Sequence, residues 1–168
     1  QAPAARSWEA QIKDQIQRRY EQIALTGFNG DVQSAGYPRS FLDRLPGPVA
    51  ATYCGCGNPL EGEDLSGVGV VVDLGCGAGL DTRHAAHLLA PGGMVIGVDL
   101  TPGMLGLADG NAVAADMEAL PLADEIADLM LANASLNLAV DKAAALSESY
   151  RVLRPGGRAV IMLYCKSS

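Results

Sequence analysis

From Trp8 to Leu25 the apolar residues Ile12, Ile16, Tyr20, Ile23 and Ala24 return at three- and four-residue steps, with charged residues between them. That is the period of a helix that buries one face. The rhythm then breaks. Thr26 to Asp43 contains Gly27, Asn29-Gly30, Gly36 and Pro38, and Leu45-Pro-Gly-Pro48 and Asn58-Pro59 follow, so no long helix can run through this stretch. From Val68 a second regime begins, in which short apolar and β-branched runs alternate with helical patterns. Strands are predicted at 68–74, 94–98, 111–115, 126–131 and 158–164, and helices at about 80–90, 102–108 and 141–153. Pro91-Gly92-Gly93 and Pro155-Gly156-Gly157 supply turns between them. Apolar strands separated by helices imply an α/β protein with a doubly wound, mostly parallel sheet. On this division residues 1–64 form a helical, loop-rich lid and residues 65–168 the sheet domain. The link from Met104 to Asn111 is shorter than the roughly dozen residues a parallel crossover normally takes. The pattern also stops after a fifth strand. Either the sheet is pared down, its C-terminal strands truncated, or residues are missing near Asp109-Gly110 and beyond Ser168.

The chemistry-bearing segment is Val70 to Leu80, VVVDLGCGAGL, running into LDTRHAAHLLA. A buried strand delivers the chain into a tight loop at a helix N-terminus, the place where doubly wound sheets bind nucleotide-like ligands. Gly75, Gly77 and Gly79 allow a sharp turn and a close backbone approach, and the helix opening near Leu80 and Asp81 offers free N–H groups. The spacing is G-x-G-x-G, not the G-x-G-x-x-G of dinucleotide folds. Asp73 stands two residues before the first glycine, where it would repel a pyrophosphate but suit an ammonium. About twenty residues beyond the loop, the next strand ends in Asp99, placed to accept hydrogen bonds from ribose hydroxyls. An ammonium at one end and a ribose at the other describe S-adenosylmethionine better than NAD.

Bulk properties narrow the class. The 168 residues are enough for one real core, and 49% hydrophobic with 18% charged residues describes a globular chain. A net charge of −7 argues against a nucleic-acid or anionic-membrane surface, and no apolar run is long enough to span a bilayer. The start, QAPAARSWEA, has no basic n-region or apolar h-region and no initiator Met, which fits a processed or trimmed product and not an intact signal peptide. Cys54, Cys56, Cys76 and Cys165 match neither a zinc ribbon nor a disulfide framework. Reduced thiols in a cytoplasmic setting are expected. His84 and His87 share a helix face but have no third ligand, so they are read as packing or surface residues and no metal centre is expected. Asp124, Glu125 and Asp128 read as a solvated turn.

In order along the chain, VVVDLGCGAG, GVDLTPGML, ADMEALPLADEIADLML and YRVLRPGGRAVI resemble the motifs of class I S-adenosylmethionine-dependent methyltransferases. Within that class the chain looks most like the arsenite methyltransferases. It carries Cys56-Gly-Asn-Pro59, Val98-Asp-Leu-Thr-Pro-Gly-Met104, Glu118-Ala-Leu-Pro-Leu122, and Asn133-Ala-Ser-Leu-Asn-Leu138 followed by Asp141-Lys142. Arg19-Tyr20 resembles the family's leading helix, and the resemblance extends over about residues 11 to 164. The chain departs from the pattern in three places. Ala134 stands where the family has a cysteine, the crossover after Met104 is short, and the later segment with a further cysteine is absent.

The resemblance implies a Rossmann-like fold, S-adenosylmethionine as cofactor, and a small-molecule or metalloid substrate. Asp73 and the Gly75–Gly79 backbone are expected to hold the methionyl end, and Asp99 the ribose. Thr101 and Met104 would line the adenosine, with Leu100 and Cys76 in the same cofactor-binding set. Asp116 would accept from the adenine amino group, flanked by Met117 and Glu118, and Asn133 would present its backbone near the sulfonium. Cys76 also has a packing role, and Tyr20 either covers the cofactor or packs in the core. Cys56, with Cys54 as helper, is the expected arsenic-binding thiol, because soft thiolates suit soft acceptors. Cys165 is a further candidate ligand. Two other readings stay open: a small organic oxygen, nitrogen or carbon nucleophile as acceptor, and a non-catalytic cofactor-binding remnant. The sequence does not define an oligomeric state.

Overall fold

The computed structural model describes residues 7–164. Helix α1 spans Trp8–Thr26, opened by the Ser7 side chain accepting from the Ala10 N–H (3.2 Å) and closed at Gly27. The turn-rich stretch after it resolves into a 3-10 turn at Val32–Ser34 and two short helices, α2 (Arg39–Leu42) and α3 (Gly47–Ala51). Both short helices start directly after a proline that has no N–H to lose. The sheet unit then runs β1 (Val70–Leu74), α4 (Leu80–Leu88), β2 (Met94–Asp99), α5 (Pro102–Leu105), β3 (Asn111–Ala114), β4 (Ala127–Asn133), α6 (Lys142–Val152) and β5 (Leu153–Met162). The five strands lie in the order β3-β2-β1-β4-β5 and every pairing is parallel. The expected doubly wound sheet is therefore present, with its topological reversal between β1 and β4.

Strand alternation builds a core on each face of the sheet. Val72, Leu74, Ile96, Val98, Met130 and Ala132 pack with Ala145 and Val152 of α6. Val71, Val95, Leu129 and Leu131 face the other way, against Ala85 of α4 and Leu60, Leu65 and Val68. A third cluster joins Ile23, Val32, Tyr37, Phe41, Leu42, Val49 and Tyr53 to Ala78, Leu80 and Met104. The N-terminal segment thus shares apolar burial with the Gly loop and α5, across the boundary suggested by composition.

The short crossover closes without a full helix. α5 is a single turn, shorter than the 102–108 expected, and β3 still pairs in register with β2 from Ile96↔Asn111 to Asp99↔Ala114. The return segment is pinned to α4: Arg83 pairs with Asp109 and donates to the Leu107 carbonyl (3.2 Å). Gly79 lies so near Ala108 that a Cβ there would come within 3.2 Å of its methyl. β5 begins earlier than expected because Leu153 already pairs with Ala127. A register shift then absorbs Pro155-Gly156-Gly157 before pairing resumes at Arg158.

One side-chain reading changes and another is resolved. Asp128 is not part of a solvated turn: it is buried in β4, its carboxylate accepting from the Gly69 and Val70 N–H groups (2.7 Å each) and pairing with Arg154. Burial opposes its charge, but these donors outweigh it and hold the carboxyl below its ordinary value. His84 is only 2% exposed and packs against Tyr37 and Phe41, with ring centroids at 5.3 and 4.7 Å, whereas His87 is exposed.

Candidate functional site

The C-terminal ends of β1 to β4 open into a cleft of about 1030 Å³, the location expected for a ligand site in a doubly wound sheet. Its floor is the loop after β1. Gly75, Gly77 and Gly79 all have positive φ (69°, 53° and 80°). At Gly75 a Cβ would lie 2.3 Å from that of Ser135, so only glycine fits beneath the turn that follows β4, while Gly77 faces open space. Gly79 is the left-handed residue that starts α4 and packs on Ala108, and it does not line the cleft.

Asp99, at the end of β2, accepts from the Gly77 N–H (2.9 Å) and the Thr101 N–H (2.8 Å). It braces the loop from the side and keeps lone pairs for a ligand. Leu100, Thr101 and Met104 line the same wall, with Cys76 buried under the loop against Gly97. Beyond β3, Asp116, Met117 and Glu118 complete this end. Lys13 of α1 reaches across to pair with both Asp116 (2.6 Å) and Glu118, and Glu21 accepts from the Gly103 N–H (3.0 Å). Helix α1 is thereby clamped over α5 and the β3 loop. Tyr20 lines the cleft from the same helix.

The opposite end is built from chain-distant parts. Asp81, in the first turn of α4, lies on the cleft wall with both oxygens engaged. Tyr37 donates to one (2.6 Å) and the Asn133 amide to the other (2.9 Å). Asn133 also donates to the Gly57 carbonyl (2.8 Å) and accepts from the Cys56 N–H (2.8 Å). Its side chain, and not only the backbone anticipated from sequence, is the working part. Cys54 lines the cleft with Tyr53 and Gly55, and its Sγ donates to the Thr52 carbonyl (3.2 Å). Cys56 is not on the cleft wall. Asp73, expected to face the ligand, is buried beneath the loop and accepts from Thr82 (2.7 Å). Cys54 and Cys76 are free thiols, and Cys165 lies outside the described residues.

Sequence reasoning missed Asp81 as a wall residue, Tyr37 and Lys13. Asp81 carried a signal: an acid one step after the last loop glycine and Leu80, on a helix whose first turn the glycines bring to the ligand. Tyr37 and Lys13 carried none, since their partners are 44 and 103 residues away.

The charge balance is one-sided. Asp81, Asp99, Asp116 and Glu118 line the cleft against Lys13 alone among the described lining residues, which favours a cationic ligand. Burial raises the carboxyls of Asp99 and Asp81, and burial together with the nearby Asp81 charge raises Asp73. Burial also pushes the Cys54 thiol up to about 11, against a smaller opposing pull from Arg19. Among the described residues no group of three or more His, Cys, Asp or Glu side chains is placed to hold a metal ion, and no helix is long and apolar enough to cross a membrane.

The profile of the methyltransferase domain family matches residues 72–161, more than half of the chain. The chain therefore belongs to the class I S-adenosylmethionine-dependent methyltransferases. Within that class it is similar to arsenite methyltransferases. It is 42% identical over 117 residues to the arsenite methyltransferase of Halobacterium salinarum, an alignment that covers 64% of this chain and 30% of that one. The arsenic(III) S-adenosylmethionine methyltransferase of Chlamydomonas reinhardtii superposes with a TM-score of 0.63 at 36% identity, over 72% of this chain and 46% of the other. A malonyl-[acyl-carrier protein] O-methyltransferase of Yersinia pestis is 43% identical over 93 residues, 52% of this chain and 34% of its own. The chain thus spans less than half the length of each of these relatives.

The cleft fits the family's cofactor. The open space at Gly77 leaves a cradle that a side chain would fill, the acids suit a sulfonium and an ammonium, and Val98, Met104, Ala115 and Leu138 supply apolar wall.

Proposed function

We propose that this chain transfers a methyl group from S-adenosylmethionine to thiol-bound trivalent arsenic. The observation that carries the acceptor assignment is Cys54, a thiol on the cleft wall, with Cys56 two residues on in a loop tied to the same cleft by Asn133. S-adenosylmethionine supplies an electrophilic methyl on a sulfonium. The Gly75–Gly77 backbone, Asp99, Leu100, Thr101 and Met104 hold its adenosine side. Asp116, Met117 and Glu118 would hold the base and Asp81 would take the ammonium, while Asp73, bonded to Thr82 beneath the loop, braces the start of α4. In-line displacement needs little from the protein beyond positioning and the exclusion of water, and α1 with Tyr20 covers the cleft.

The raised Cys54 pKa keeps this group a neutral thiol near pH 7. That suits arsenous acid, which is also neutral: each As–S bond forms as an As–OH and an S–H leave together as water. Two thiols therefore load arsenic with the loss of two waters and no net charge. Once loaded, the arsenic lone pair would form the As–C bond as the methyl–sulfonium bond breaks, its electron pair returning to sulfur to release neutral S-adenosylhomocysteine and leaving the positive charge on pentavalent methylarsenic.

Ala134 favours a second reading. It stands on the cleft wall where the arsenic family has a cysteine, and an apolar methyl there suits an organic acceptor. Transfer of radiolabelled methyl groups should run with arsenite plus a small thiol and stop in Cys54→Ser. Turnover on an organic panel but not on arsenite would transfer the assignment to the second reading. Cofactor binding with no turnover on any acceptor would leave a binding remnant.

A further inference from the structure

We infer that the Asn133 side chain is a positioning residue that fixes the thiol loop at a set distance from the cofactor's cationic end. The inference rests on the reading that Asp81 receives that end. Asn133 closes β4, and its amide has one acceptor and two donor hydrogens. All are used, and each meets a different partner. Oδ1 takes the Cys56 N–H (2.8 Å), while Nδ2 gives one hydrogen to the Gly57 carbonyl (2.8 Å) and one to Asp81 (2.9 Å). The first two bonds read the thiol loop as a neighbouring strand would, one N–H and one C=O. The third runs to the carboxylate on the cleft wall. One planar group therefore joins residue 56 to residue 81.

The neighbours leave little freedom. Tyr37 gives its one hydroxyl hydrogen to the other oxygen of Asp81 (2.6 Å), and the same hydroxyl lies 3.0 Å from the Gly57 carbonyl, so the ring is wedged between the two groups that the amide joins. Gly55 passes so close that a Cβ would sit 2.7 Å from Asn133 Nδ2 and 2.7 Å from the Tyr53 ring. The loop thus has glycine where the amide crosses it. No other side chain of this length does the same work. Asp at 133 could accept from Cys56 but would present oxygen to Asp81 and to the Gly57 carbonyl, and Ala or Leu would remove the amide's bonds to Cys56 and Asp81 and leave the Gly57 carbonyl to the Tyr53 and Tyr37 hydroxyls. Cys56 is off the cleft wall, so a ligand in the cleft reaches it through this amide and not by covering it.

The test is the alkylation rate of Cys56, followed by peptide mass spectrometry in a Cys54→Ser background. It is run without ligand and with S-adenosylhomocysteine at a concentration that calorimetry shows to saturate each variant. With Asn133 present, the ligand should slow Cys56 alkylation at least threefold. In Asn133→Ala the rate without ligand should rise about tenfold and the ligand effect should vanish. Gly55→Ala, which pushes the loop off the amide from the other side, should raise the rate in the same way and guards against a misfolded Asn133 variant. An unchanged Cys56 rate in both variants, or a ligand effect that survives in Asn133→Ala, would overturn the inference. Failure of the parent protein to bind S-adenosylhomocysteine would instead sink the cofactor assignment, and the ligand-free rates would still decide whether the amide holds the loop.

Discussion

The two ends of the cleft are built by different rules. At the Asp99 end the hydrogen bonds that shape the site are largely local: Asp99 binds Gly77 and Thr101, and Asp116 accepts from the Glu118 N–H. At the thiol end, Asn133 reaches back 77 residues to Cys56 and 52 to Asp81, and Tyr37 forward 44 to Asp81. A site made of neighbours in sequence forms with its own strand and loop. A site made of distant segments exists only once the N-terminal cluster of Tyr37, Phe41 and Tyr53 has packed on the sheet unit. The first end should therefore carry cofactor affinity, and the second should be the more sensitive to whatever loosens that packing.

The largest effect should come from Asp99→Ala. It removes the acceptor for two loop N–H groups and the proposed ribose contacts, so affinity for S-adenosylhomocysteine should fall about 10- to 100-fold, equivalent to roughly 1–3 kcal/mol. Isothermal titration calorimetry decides it. Unchanged affinity would mean that the Asp99 end does not carry binding.

This division also explains what could be read in advance. The strand–loop–helix unit around Gly75 to Gly79, the acid ending β2 and the parallel sheet follow from short-range pattern: apolar runs of strand length, glycines where φ is positive, an acid at a fixed distance. Asp73 misled because a carboxylate before a glycine loop reads the same whether it points into the cleft or under it. Strand register sets the direction, and here burial with Thr82 takes the side chain away from the wall. Asp128 misled likewise, because a charge at the start of an apolar strand reads as a turn until Arg154 and the β1 amides arrive to neutralise it. The role of Asn133 could not be read, since an Asn at a strand end advertises a backbone turn as readily as a bridge to residues 56 and 81.

A second experiment separates the ends by acid. His84 is buried against Tyr37 and Phe41, neither ring nitrogen has a hydrogen-bond partner among the described residues, and burial lowers its pKa to about 4. The unfolded chain, titrating near the ordinary 6.5, then binds more protons than the fold between these values. The stability owed to a neutral His84 is complete above about pH 6.5 and is lost as the pH falls toward 4. Asp73 and Asp81 act in the opposite sense, because burial raises their pKa values and their contribution is lost as the pH rises. His84→Phe keeps the aromatic contact and removes only the first effect. Its urea stability relative to the parent should improve by about 2 kcal/mol between pH 7.5 and about 4.5. A constant difference across that range would show that His84 does not titrate in the fold, and the acid sensitivity of the thiol end would need another source.

Lys13 offers the smallest and most specific test, because it is the point where the otherwise local Asp99 end depends on a distant segment. Its ammonium lies between Asp116 and Glu118. Burial lowers its pKa, but the bonds and charges of the two carboxylates win and raise it overall, so it stays charged. Lys13→Met keeps the stem but leaves two acids facing each other and removes the tie of α1 to Asp116 and Glu118, while Glu21 still accepts from the Gly103 N–H. Partly exposed pairs of this kind contribute about 1 kcal/mol or less. Affinity for S-adenosylhomocysteine should therefore drop about three- to fivefold at low salt. Screening weakens the parent's pairs and the variant's repulsion together, so the gap between the two proteins should close as ionic strength approaches about 1 M, where charges are screened within roughly 3 Å. A gap that persists at high salt would mean that Lys13 acts through packing of its stem in the cleft, and that the Asp99 end depends on α1 for shape and not for charge.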